Sequence, residues 1–118
     1  MSSTKYTESR NSHQGAVLLS TFPSEEIAIE VVKRLLAEKL CACANILKVN
    51  SLYTWKGKIQ NDQEFLCIFK TTIHNSARLR QEIIKLHPYE VPEIVELEMK
   101  SVARDYLRWM AEVTLPPS

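Results

Sequence analysis

Residues 44–72 read ANILKVNSLYTWKGKIQNDQEFLCIFKTT, and both halves of that segment favour extended backbone. The first half, Ala44 to Lys58, gathers Ile46, Val49, Leu52, Tyr53, Thr54 and Trp55, side chains whose branched or flat shapes fit a pleated surface. Val49-Asn50-Ser51 interrupts the alternation, which predicts a long strand carrying a bulge. Lys56-Gly57-Lys58 and Gln60-Asn61-Asp62 bracket the expected turn. From Glu64 to Thr72 the pattern alternates, with Phe65, Cys67 and Phe69 on one face and Leu66, Ile68 and Lys70 on the other. The segment is predicted to be a β-hairpin.

Working outward from it, Gly15 to Thr21 is an uncharged apolar run suited to a buried strand, and Phe22-Pro23 ends it. Ser24 is an N-cap residue, Glu25 and Glu26 favour the positive end of a helix dipole, and Ala28, Val31, Val32, Leu35 and Leu36 recur at helical spacing, predicting a helix to about Leu40. Beyond the hairpin, Asn75 or Ser76 can cap a second helix carrying Leu79, Ile83 and Leu86, which Pro88 stops. Ile94 to Lys100 alternates, so Val95, Leu97 and Met99 are expected inward and its three charges outward. Val102, Tyr106, Met110 and Val113, with Leu107, make a last amphipathic helix ended by Pro116-Pro117. The order is therefore β-α-β-β-α-β with an extra C-terminal helix. That is an α+β, ferredoxin-like fold with helices on one face of an antiparallel sheet. The helices leave the other face of the hairpin, with its aromatic side chains, in water unless a partner chain covers it.

A chain of 118 residues is expected to form one domain, residues 15–115. Residues 1–14 are polar and charged, lack the apolar region of a secretory leader, and are expected to be a disordered tail. Fifteen basic against 14 acidic side chains give a net charge of +1, without the field that nucleic acid or an anionic membrane needs. No apolar run approaches the roughly 20 residues of a membrane span. Two glycines cannot build the phosphate-cradling loops of nucleotide sites. Three cysteines, an odd number, point to free thiols in a reducing cytoplasm.

Several strings, in this order along the chain, carry a resemblance. They are Thr21-Phe22-Pro23-Ser24-Glu25-Glu26, Leu40-Cys41-Ala42-Cys43-Ala44-Asn45-Ile46, Ser51-Leu52-Tyr53-Thr54-Trp55-Lys56-Gly57-Lys58, Lys70-Thr71-Thr72 and His87-Pro88-Tyr89-Glu90-Val91-Pro92-Glu93, followed by Asp105-Tyr106-Leu107 and Trp109. From about Ala16 to Val113 the chain resembles the CutA divalent-cation-tolerance family. The resemblance implies a ferredoxin-like homotrimer related in shape to PII signalling proteins, cytoplasmic, linked to tolerance of copper and other divalent cations, and not an enzyme. Some relatives place copper ligands at the end of the first strand and at two adjacent positions before the proline. Those positions are Ser20, Leu86 and His87 here.

The residues themselves leave alternatives open. Cys41 and Cys43 put two sulfurs on one side of an extended segment, a donor pair for Cu(I), or they fill a helix-to-strand corner. His87 is a candidate imidazole ligand for copper or zinc with Glu90 or Glu93 beside it, or a structural histidine before Pro88. Tyr53, Trp55, Lys56, Lys70, Tyr89 and Glu90 mix aromatic faces with charge, fit either for a small anionic or amphipathic ligand or for a subunit interface. Three rivals lack their marks. An acylphosphatase-like hydrolase needs Gly and Arg where Thr21-Phe22-Pro23-Ser24 stands, an RNA-recognition module needs a basic Gly-containing strand where Glu64 to Phe69 stands, and a nucleotide-sensing PII-type regulator needs a longer loop near Gln60.

Overall fold

A computed structural model describes residues 14–116 in full and residues 6–8 as a strand. The elements are β1 (Tyr6–Glu8), β2 (Gly15–Phe22), α1 (Glu25–Ala37), β3 (Cys43–Trp55), β4 (Lys58–Thr72), α2 (Ile73–Leu86), β5 (Val95–Glu98), β6 (Ser101–Ala103) and α3 (Arg104–Val113). Four strands form an antiparallel sheet in the order β3-β4-β2-β5, the ferredoxin-like arrangement. β1 pairs antiparallel with β6, Thr7 opposite Val102, and Gln14 is buried. The expectation of a disordered tail over 1–14 is thus corrected at Tyr6–Glu8 and Gln14; its other residues lie outside the described ones.

Ala16, Leu18 and Phe22 of β2 and Cys67 and Phe69 of β4 are wholly buried beneath Ala28 and Leu35 of α1 and Leu79 and Ile83 of α2. Ser24 caps α1, its Oγ accepting the Ile27 N–H at 3.2 Å. The helix stops at Ala37, short of Leu40, because Lys39 turns to a φ of 60°, a left-handed exit from the last turn. Neither Asn75 nor Ser76 caps α2. The helix begins at Ile73 after Thr72, and Asn75 Nδ2 instead donates to Thr72 Oγ1 at 3.0 Å. Leu107 and Met110 of α3 bury against Ala42, a small cluster at the end of the sheet where β3 starts.

The hairpin has no bulge. Its register is continuous from Cys43 opposite Lys70 to Trp55 opposite Lys58. Its turn is the two residues Lys56 and Gly57, both at positive φ (51° and 79°) as a tight twisted hairpin requires, and Gln60 to Asp62 lie within β4. The alternation lapses near Asn50 because this half of the hairpin is an arm beyond the sheet body, exposed on both faces. Leu52 and Ile59 are 67% and 80% exposed on one face and Trp55 48% on the other, so no buried face imposes a pattern there.

β5 also departs from expectation. Leu18, which points at the helices, is paired with Glu96, so Glu96 faces the helices too and is bonded by Arg80 of α2. Val95 and Leu97 therefore lie on the opposite face, exposed at 43% and 51%, the face that Leu47 of β3 shares at the other edge of the sheet. One face of the sheet is sealed by helices. The other is apolar and largely open.

Candidate functional site

The segment His87-Pro88-Tyr89-Glu90 follows α2 and is held against the sheet at two points. β5 pairs with β2 only as far as Leu19, and the Thr21 carbonyl beyond that end meets His87 Nε2 at 2.9 Å. His87 Nδ1 accepts the Tyr89 N–H at 3.1 Å, which requires the proton to sit on Nε2 and be donated to Thr21. The ring also stacks on Phe22, centroids 4.4 Å apart, and burial holds its pKa below the usual value against the opposing pull of the Thr21 carbonyl and Glu64. His87 is a neutral, buried bracket. Both ring nitrogens meet backbone, the arrangement of the structural histidine that the sequence offered beside a metal ligand.

The second point is Tyr89, whose hydroxyl donates to Glu64 Oε2 at 2.6 Å, and burial followed by that carboxylate pushes the phenol's pKa well up. Between the pinned segment and the hairpin arm lies a groove of ≈ 810 Å³. Tyr53, Trp55 and Tyr89 supply aromatic walls, and Glu64, Glu90 and Glu93 supply charge. Tyr53 donates its hydroxyl to Asp62 across the hairpin, which raises its pKa. Among the described residues no lysine or arginine lines the groove.

Of the expected ligand residues, Tyr53, Trp55, Tyr89 and Glu90 do come together. Lys70 does not, because it pairs with Cys43 at the far end of the hairpin, and Lys56 stands 6.0 Å from the Trp55 ring centroid without lining the groove. Sequence reasoning missed Glu64 as a site residue. Its signal was the alternation itself, which sets Glu64 on the same face as Leu66 and Ile68.

The cysteines lie elsewhere. Cys43 is level with Val17 of β2 through Lys70, whereas His87 stacks on Phe22, five residues along the strand and about 17 Å away. Cys41 is buried and its thiol is pushed up to about 12 by burial first, then by Cys43 and Cys67 nearby; Cys67 is likewise pushed up to about 12 by burial. Thiols held protonated are poor metal donors. Cys43 is half-buried against the Tyr106 hydroxyl, whose pKa is raised by burial and by that thiol. Ser20 Oγ is buried with no hydrogen-bond partner among the described residues. Among those residues no three histidine, cysteine or carboxylate side chains converge as a metal site. The described donors of one protomer do not gather into the set that a divalent ion needs.

The class is an α+β ferredoxin-like domain with an open apolar sheet face and a groove walled by aromatic rings and carboxylates. The chain belongs to the CutA1 divalent ion tolerance protein family, whose model matches residues 16–113. It is 46% identical over 99 residues to the divalent-cation tolerance protein CutA of Thermus thermophilus, covering 83% of this chain and 96% of that one. Among solved structures, CutA1 of Pyrococcus horikoshii superposes with a TM-score of 0.82 at 40% identity, covering 86% of this chain and 99% of that one. The periplasmic divalent cation tolerance protein CutA of Archaeoglobus fulgidus gives 0.83 at 35% identity, with coverage of 86% and 99%.

Proposed function

We propose that this member of the divalent ion tolerance family is a homotrimeric, non-catalytic binding protein of the cytoplasm, with the groove beside Tyr89 as its ligand site. The carrying observation is the open sheet face, where Leu47, Val95 and Leu97 stand exposed while the opposite face is sealed. A radius of gyration of 15.6 Å, against about 13 Å for a compact chain of this size, accords with a hairpin arm that extends beyond the sheet body. Covering both with further copies removes the exposed apolar area. The number three follows the family resemblance.

The names of the relatives support a role in cation tolerance, not turnover. The commitment of both His87 nitrogens and the dispersal of the cysteines favour response to a small molecule, as in a PII-like sensor, over copper or zinc coordination within one protomer. An archaeal relative is named as periplasmic. The three free cysteines favour the reducing cytoplasm for this chain. Light scattering at micromolar concentration is expected to give the mass of a trimer. A monodisperse monomer or dimer would overturn the assembly.

A further inference from the structure

Charge decides which ligands the groove admits. Its acidic lining is Glu64, Glu90 and Glu93, with Asp62 one hydrogen bond behind Tyr53, and no basic side chain among the described residues offsets them there. The phenol protons of Tyr53 and Tyr89 are already given to carboxylates, so these rings present faces and oxygen lone pairs to the groove. The donors left among the lining side chains, Thr21, Asn50, Ser51 and the Trp55 indole, are neutral. An anion would meet net negative charge with only neutral donors to hold it.

Glu64 carries the matter further. It is 8% exposed, its Oε2 takes the Tyr89 hydroxyl, and its Oε1 accepts no hydrogen bond among the described residues. No lysine or arginine pairs with it among those residues. A largely buried carboxylate, with one neutral donor on Oε2 and Oε1 open to the groove, has no cation beside it among the described residues. Aromatic faces attract cations electrostatically, and three rings share this wall. The carboxylates do not converge as a metal site, and ≈ 810 Å³ is the size of an organic-ligand pocket and far beyond a single ion.

We infer that the groove between the hairpin arm and the segment after α2 binds an organic cation, an alkylammonium or guanidinium group whose charge meets Glu64 and whose carbon skeleton lies along Tyr53, Trp55 and Tyr89. This rests on the groove being the ligand site, and it replaces an anionic ligand with one of opposite sign. The group belongs either to a free small amine or to a lysine or arginine side chain of a neighbouring copy.

Calorimetric titration of the full chain with agmatine, and separately with butyrate and magnesium chloride, tests it. Agmatine should bind, more weakly as salt rises, and the other two should not. Glu64→Gln keeps an acceptor for Tyr89 and should weaken agmatine at least tenfold, about 1.4 kcal/mol. Glu90→Gln, at an exposed position that the fold does not need, should weaken it less. Agmatine binding that survives both substitutions overturns the assignment of its charge to this groove. Binding of butyrate without agmatine refutes the sign while leaving a ligand site in place. No binding by any probe removes the ligand site itself. If, in addition, Glu64→Gln dissociates the assembly, the groove belongs to a neighbouring copy's side chain and the free-ligand proposal fails.

Discussion

Replacing His87 by alanine separates a structural imidazole from a metal ligand. The change leaves the Thr21 carbonyl without the donor that takes the place of a longer β5, and Thr21 is buried. A buried orphan acceptor costs about 2 kcal/mol. The Tyr89 N–H also loses its acceptor, but at a half-buried position where water replaces part of it, so about 0.5 to 1 kcal/mol is lost there. Removing the ring from Phe22 forfeits a stack worth about 1 kcal/mol. Together these amount to about 3.5 to 4 kcal/mol, a fall in Tm of about 14 to 16 °C for a domain of this size. Thermal unfolding followed by circular dichroism, parent and variant at equal concentration, measures it, because assembly makes Tm concentration-dependent. The same samples, folded and reduced, should bind zinc with affinities within about threefold of each other, under about 0.7 kcal/mol. A variant that melts like the parent but loses zinc affinity tenfold would refute the committed tautomer and return His87 to the metal ligands.

The depressed His87 pKa predicts a particular pH dependence. The unfolded imidazole takes up its proton near pH 6.5, roughly the usual value, and the native one only at lower pH. The contribution is therefore whole above about pH 6.5 and is lost as pH falls from there to the folded pKa, by at most about 1.4 kcal/mol per pH unit. Urea midpoints across this window should show that slope in the parent and not in His87→Gln; a slope kept in the variant assigns it to another group. Thiol reagents should find one fast site, Cys43, in the native protein near neutral pH, with Cys41 and Cys67 reacting only on unfolding because burial pushes both up to about 12. Three thiols reacting together would contradict the burial.

What the sequence determined by itself was periodicity and order. Alternation from Glu64 to Thr72, the Ser24 cap with its acidic first turn, and the stop before Pro88 are local matters, set by backbone sterics and nearest neighbours, and they sufficed for the hairpin, the helices and the ferredoxin-like arrangement. A strand's alternation, however, names two faces without saying which is inside. In Val95-Glu96-Leu97-Glu98 only the register against β2 decides it, and Leu18 opposite Glu96 turns the apolar pair outward and leaves the charge to meet Arg80. The lapse at Asn50 marks exposure rather than a bulge, because both faces of the arm lie in solvent. At the site, the motif around His87 was legible but its role was not. A histidine's use depends on what its two nitrogens meet, and those partners, the Thr21 carbonyl from a strand 66 residues earlier and the Tyr89 amide, are brought to it by tertiary folding. The charge of the groove was hidden for the same reason: Lys70 is close in sequence to the hairpin's aromatics yet pairs at its far end, while Glu64 is brought to Tyr89 across 25 residues.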